Sequence, residues 1–107
     1  MDMFTALAEP TRRDIIVMLA QSGQMSASEI YTKFASSPPA ISQHLKVLRD
    51  TDLVKVEKHA QQRLYQLNPQ KLSELEKWIH TITVKMEERY SRLDALLERE
   101  NRKLHRK

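Results

Sequence analysis

The 107 residues predict a mainly α-helical chain with one small β-hairpin and a long C-terminal helix, on three observations. Apolar residues recur at helical spacing in five stretches. One short region, residues 54–67, switches to alternation. Gly23 is the only glycine and there are four prolines, too few turn residues for a many-stranded sandwich.

Taken in order, Asp2 caps a short helix running to about Ala8, with Phe4 and Leu7 on one face. Glu9-Pro10 breaks it. Pro10 suits the first turn of a second helix, where its missing N–H would be unpaired anyway. Ile15, Ile16, Met18 and Leu19 form the apolar stripe, and Gly23 is the natural stop. Ser26-Ala27-Ser28-Glu29 has the spacing of a capping box and starts a third helix to about Phe34, with Ile30 and Phe34 inward.

Ser37 then caps a fourth helix from Pro38 to about Asp50, because two prolines are tolerated in a first turn and nowhere deeper. After Leu53 the period becomes two. Val54 and Val56 alternate with Lys55 and Glu57. Leu64, Tyr65 and Leu67 follow with Arg63 and Gln66, across a polar turn His59-Ala60-Gln61-Gln62. Asn68-Pro69 opens the last helix, expected to reach about Glu100. Its apolar positions Leu72, Leu75, Ile79, Ile82, Met86, Tyr90, Leu93 and Leu97 make a near-heptad seam. A domain of about 70 residues cannot bury so long a seam, so a second chain is the economical partner.

Composition sets the bounds. The length fits one domain whose modest core is helped by oligomerisation. No cysteine is present, which excludes disulfides, thiol nucleophiles and thiolate metal sites. Met1-Asp2-Met3-Phe4 lacks the basic start and apolar run of a signal peptide, and no apolar stretch has the length of a membrane span. The expectation is a soluble, cytoplasmic protein. The net charge of +4 is a tail effect: Arg99, Arg102, Lys103, Arg106 and Lys107 against Glu100 account for all of it, leaving residues 1–98 neutral.

Helix, capped helix, short break, proline-started helix and hairpin is the order of a winged helix-turn-helix. On the fourth helix Ile41, Leu45 and Leu48 form a buried face with His44 at its margin. Beyond the Ser37 cap, the other face offers Pro39, Ala40, Ser42, Gln43 and Lys46, small and hydrogen-bonding enough to enter a major groove. Gln43 has the bidentate amide that adenine requires, Ser42 donates or accepts, and Lys46 reaches guanine or phosphate. Lys58, His59 and Arg63 cluster at the hairpin tip, where a wing touches phosphates. As a plain alternative, the helix is amphipathic with a solvated face and the hairpin charges guard exposed edges, a credible account of Lys55 and Glu57.

Pro10-Thr11-Arg12-Arg13, the run Ala40 to Arg49 (AISQHLKVLR), Leu53-Val54 and Arg63-Leu64-Tyr65-Gln66-Leu67 together resemble the ArsR-type family of winged helix-turn-helix repressors over residues 4–68. The long last helix with Leu75, Trp78 and Arg89 is similar to the SdpR-like autorepressor branch. The resemblance implies a DNA-binding domain over residues 1–68 that includes an N-terminal dimerisation helix, and a dimerisation helix with a basic tail over 69–107. It implies a homodimer paired through the first and last helices (Phe4, Leu7, Leu75, Ile79, Ile82, Met86 and Leu93) on a near-palindromic double-stranded operator, repressing by occlusion. Wings in this family usually turn on Gly; His59-Ala60 stands there instead, so a wider or different turn is expected.

Many members of the family are released from DNA by metals, through cysteines on the third helix or carboxylate and His pairs on the last. Here the third helix reads Ser28-Glu29-Ile30-Tyr31-Thr32. His44, His59, His80 and His105 are scattered, and Asp94 and His105 fall eleven apart with nothing to complete a set. No metal and no cofactor are expected. Occupancy would then follow repressor concentration or a sequestering protein partner. An organic ligand against Met86, Tyr90 and Trp78 stays open, although their spacing makes them core or seam. No Gly-rich phosphate loop or nucleophile elbow is present, so no enzyme is expected. A winged-helix protein-interaction module is the remaining alternative, kept open by the neutral charge of residues 1–98.

Overall fold

The computed structural model describes residues 1–105, without the side chain of His105; Arg106 and Lys107 of the basic tail lie outside the described residues. Eight elements follow in order: α1 (Met3–Leu7), α2 (Pro10–Ser22), β1 (Gln24–Ser26), α3 (Ala27–Thr32), α4 (Pro38–Asp50), β2 (Val54–His59), β3 (Gln62–Leu67) and α5 (Pro69–His105). They divide into two compact units, residues 1–72 and the helix from Ser73 onward.

The helix starts form as their caps dictate. The Thr5 N–H donates to Asp2 Oδ1 at 2.8 Å and the Arg12 N–H to Glu9 Oε2 at 3.0 Å. The Ser26–Glu29 capping box is complete in both directions, at 3.1 and 3.2 Å. Gly23 ends α2 with φ +82°, a conformation that only glycine adopts without strain. α3 stops at Thr32, short of the expected Phe34, because the Lys33 N–H donates to Ile30 O and tightens the last turn. Phe34 is still half-buried against the core.

The sheet differs from the expected two-stranded hairpin. It has three antiparallel strands in the order β1-β3-β2, with Met25 opposite Tyr65 and Val56 opposite the same tyrosine on the other side. β1 is three residues long, too short for alternation to show; the free edge of β3 recruits it. Of the two alternatives for the wing turn, a wider one or one of a different type, the wider one is ruled out. Strand pairing continues to His59–Gln62, leaving a two-residue turn, Ala60-Gln61, with Ala60 at φ +54°. A positive φ at the first turn residue is what glycine supplies in a II′ hairpin turn; here an alanine carries the strain.

One core fills residues 1–72. Ile15, Leu19, Ile30, Ile41, Leu45, Leu48 and Leu53 are each at most 1% exposed, and Leu72 in the first turn of α5 packs against them. Each of these leucines and isoleucines contributes about 1.5–3 kcal/mol by leaving water. Asn68 closes the junction: its side-chain NH2 donates to Asp52 O at 2.8 Å, its N–H donates to Leu53 O, and its Oδ1 accepts from the Gln70 N–H. Asp52 has φ +62°, in the left-handed region that Asp and Asn tolerate better than most residues.

From Ser73 onward the chain is one helix to His105, five residues beyond the expected end. Two solvent-exposed ion pairs run along that last stretch, Glu98–Arg102 and Glu100–Lys103. Among the described residues no helix is long and apolar enough to cross a membrane.

Candidate nucleic-acid interface

The geometry begins with the register of α4. Ser37 Oγ accepts from the Ala40 N–H at 3.4 Å, and Pro38 and Pro39 occupy the first turn. That start fixes which residues turn inward. Ile41, Leu45 and Leu48 are 0, 1 and 0% exposed, so Pro39, Ala40, Ser42, Gln43 and Lys46 are all left on the open face. None of the side chains of Ser42, Gln43 and Lys46 has a hydrogen-bond or ion-pair partner among the described residues, so their donors and acceptors are available to a ligand.

His44 lies at the margin, half-buried, and the structure gives it work that the sequence did not reveal. Arg12 Nη1 lies 3.2 Å from His44 Nδ1. The same guanidinium donates through Nε to Ala6 O at 2.6 Å and through Nη2 to Thr5 O at 3.5 Å. An arginine only donates, so Nδ1 accepts and the ring proton sits on Nε2. Glu9 Oε2 is 3.8 Å from the same nitrogen, too far to hydrogen-bond and relevant only to a protonated ring. Arg12 thus ties α4 to the carbonyl end of α1, while Arg13 covers Leu7 O and Ala8 O.

Strand alternation sorts the wing residues. Lys58 faces Arg63 directly across the ladder, on the face that carries Val54, Val56, Tyr65 and Leu67 into the core nearer the body. His59, one residue on, belongs to the opposite face and sits 3.2 Å from Glu57 Oε2. Of the three expected tip residues, the structure therefore brings Lys58 and Arg63 together and sets His59 apart. Two like charges directly opposite each other destabilise a ladder, and an anion between them would offset that cost.

Arg63 also meets α4. Ser42, Gln43 and Lys46, with Arg49 from the last turn of α4, line a cleft of ≈ 130 Å³ closed on the sheet side by Arg63 and Tyr65. Arg49 and Tyr65 escaped the reading of single elements, because their relevance depends on β3 lying beside α4.

On the helix from Ser73, Ile79, Ile82, Met86, Tyr90, Leu93 and Leu97 are exposed, while Leu75 is half-buried. On α1, Phe4 is 42% exposed and Leu7 half-buried. Among the described residues no three His, Cys, Asp or Glu side chains gather as a metal site would need.

Comparison with known proteins gives one consistent answer. Residues 9–56 match the family model described as bacterial regulatory protein, arsR family. The chain is similar to the transcriptional repressor SdpR of Bacillus subtilis, with 33% identity over 78 residues, 73% of this chain and 86% of that one. It is also similar to the arsenical resistance operon repressor of Escherichia coli, 33% identical over 67 residues, 63% of this chain and 57% of that one. Among solved structures, an ArsR-like transcriptional regulator from Rhodococcus sp. RHA1 superposes with a TM-score of 0.75 at 26% identity, covering 88% of each chain.

Proposed function

The chain belongs to the bacterial arsR family of regulatory proteins, and from that premise we propose that it represses transcription as a homodimer on a near-palindromic operator. It is a DNA-binding regulator and not an enzyme. The observation that carries the finer reading is the face of α4: a proline-started helix whose inward residues are sealed in the core presents Ser42, Gln43 and Lys46 without partners, beside a wing bearing Lys58 and Arg63. In this reading Ser37, Pro39, Ala40, Ser42, Gln43 and Lys46 enter the major groove. Lys58 and Arg63 hold phosphates, and His59 stands at the outer edge of the wing.

Dimerisation is supported by the exposed stripe of the last helix. At 100° per residue, Leu75, Ile79, Ile82, Met86, Tyr90, Leu93 and Leu97 fall within about 80° of arc. Such a stripe needs a partner, and a second copy supplies an identical one. Phe4 and Leu7 on α1 are proposed as dimer contacts in their own right. Placement in the cytoplasm follows from the operator as partner.

The operator would be released without metal. Its relative in Escherichia coli is named for arsenical resistance. This chain has no cysteine to bind arsenite as a thiolate, and His44, which lies on the reading helix itself, is engaged by Arg12. Control then lies in repressor concentration or in a sequestering protein. The first fragment to test is the promoter of its own gene. A gel-shift titration should give affinity that falls steeply with salt, with a log–log slope of about −0.9 per phosphate neutralised, and no change on adding zinc, nickel or arsenite. A metal-dependent loss would assign release to metal. Weak, sequence-blind binding would favour the interaction module that the neutral charge of residues 1–98 allows.

A further inference from the structure

We infer that the cleft between α4 and β3 is the seat of one phosphodiester group of the bound duplex, and that Arg49 is its anchor. This rests on the DNA-binding reading above and assigns a role to two residues outside the expected site, Arg49 and Tyr65.

Four observations converge on it. The lining holds three cations, Lys46, Arg49 and Arg63, and no carboxylate. Ser42, Lys46 and Arg49 stand at i, i+4 and i+7, on one face of α4, while Arg63 arrives from the sheet, so the positive charge surrounds the cleft from two sides. Tyr65 is 6% exposed and lines the same cleft, yet its hydroxyl has no hydrogen-bond partner among the described residues. Among the described residues no buried polar side-chain atom is sealed off without a partner, so that hydroxyl keeps access to a ligand. Finally, the ≈ 130 Å³ available holds about four waters' worth of liquid volume. That suits a phosphate with its attendant water and falls well below the ~300 Å³ at which organic-ligand pockets begin.

Arg49 is the residue with most to give. Its ion pair, Nε to Asp50 Oδ1 at 3.9 Å between exposed groups, is long, and its two terminal nitrogens have no partner among the described residues. Its position also fits. The N-terminal residues of a recognition helix meet base edges, so the last turn of α4 stands at the height of the sugar–phosphate strand, where a planar guanidinium matches phosphate oxygens in pairs.

The test uses a duplex selected from random sequence by the full-length protein. Arg49→Ala should lose about tenfold in affinity at low salt, equally for selected and unrelated duplexes, and its salt slope should shrink by about 0.9. Arg49→Lys should keep the slope while losing part of the affinity, because charge survives and the paired geometry does not. Tyr65→Phe should weaken binding with the slope unchanged.

If wild-type protein shows the steep salt dependence and Arg49→Ala leaves both affinity and slope intact, the seat is wrong and the DNA reading stands. If no duplex is selected at all, the reading beneath it fails. Saturable binding of inorganic phosphate at submillimolar concentration, undisturbed by duplex, would assign the cleft to a free anion and overturn the proposal.

Discussion

Arg12 Nη1 on α2 stands 3.2 Å from His44 Nδ1 on α4, and the same side chain grips the carbonyls of Ala6 and Thr5. One guanidinium therefore holds three helices at the edge of the core, and the reading face of α4 is oriented from behind by a residue that never approaches it. This is the structural meaning of the Pro10-Thr11-Arg12-Arg13 motif. The proline and Glu9 start α2, and the arginines turn back to close the carbonyl end of α1.

Arg12→Ala should cost about 1.5–3 kcal/mol of stability, the range for hydrogen bonds to a charged group. Arg12→Lys should recover little of it, since one ammonium lacks the fork that spans carbonyls and imidazole at once. Urea unfolding of the three proteins decides this; equal midpoints would show the bridge to be idle.

Ala60 offers the opposite change. Its φ of +54° at the first turn residue is a position where an L side chain is strained. Ala60→Gly should raise stability by about 0.5–1 kcal/mol, once the greater chain entropy of glycine is set against the relief of strain. DNA affinity should stay the same. A fall in the denaturation midpoint would contradict the turn geometry.

Gln43 and Arg63 should separate reading from anchoring. Gln43→Ala is expected to relax preference at one base pair by about 1–3 kcal/mol and leave unrelated duplexes alone. Arg63→Ala should weaken every duplex alike. Binding to a panel of single-base-pair variants distinguishes them, and identical profiles would dissolve the distinction.

Acid should loosen the N-terminal helices. Asp2 ionises below its ordinary 3.8 because the Thr5 N–H and hydroxyl both donate to it. For Glu9, desolvation pushes upward. The Arg12 N–H, the nearby His44 and the Arg12 charge outweigh it, and the net position is below 4.5. Groups with depressed folded values stabilise above their unfolded values, and that stability disappears as pH falls through the folded ones. Stability should thus decline as pH drops below about 4.5, and the decline should flatten in an Asp2→Asn, Glu9→Gln double variant, in which Asn still caps α1. An unchanged acid limb would show that neither carboxylate is linked to folding.

Ile82→Glu, or Met86→Glu, should convert the proposed dimer to a monomer in sedimentation equilibrium and abolish tight operator binding. Residues 1–72 should keep their fold, because neither side chain belongs to that core. A variant that stays dimeric would move the interface away from the last helix.

Much of this was legible because local chemistry is strong here. Asp2, Ser26-Glu29, Ser37-Pro38 and Gly23 each carry a cap or a stop whose geometry involves residues three or four apart. The inward face of α4 followed from spacing alone, and its outward face with it. His59 was harder. Sequence proximity placed it with Lys58, but strands alternate, and only the pairing Lys58–Arg63 shows which of the two shares a face with the second cation.

The chain by itself determined where helices begin, which side of each is apolar, and that α4 carries a small polar face, since these depend on neighbours within one or two turns. Tertiary structure alone decided that a three-residue strand pairs with β3, that Arg12 reaches His44 across 32 positions, and that Arg63 and Tyr65 close a cleft with Arg49. Such contacts join segments far apart in sequence. They form only when the burial of Ile41, Leu45 and Leu48 has drawn the elements together, so no local pattern encodes them.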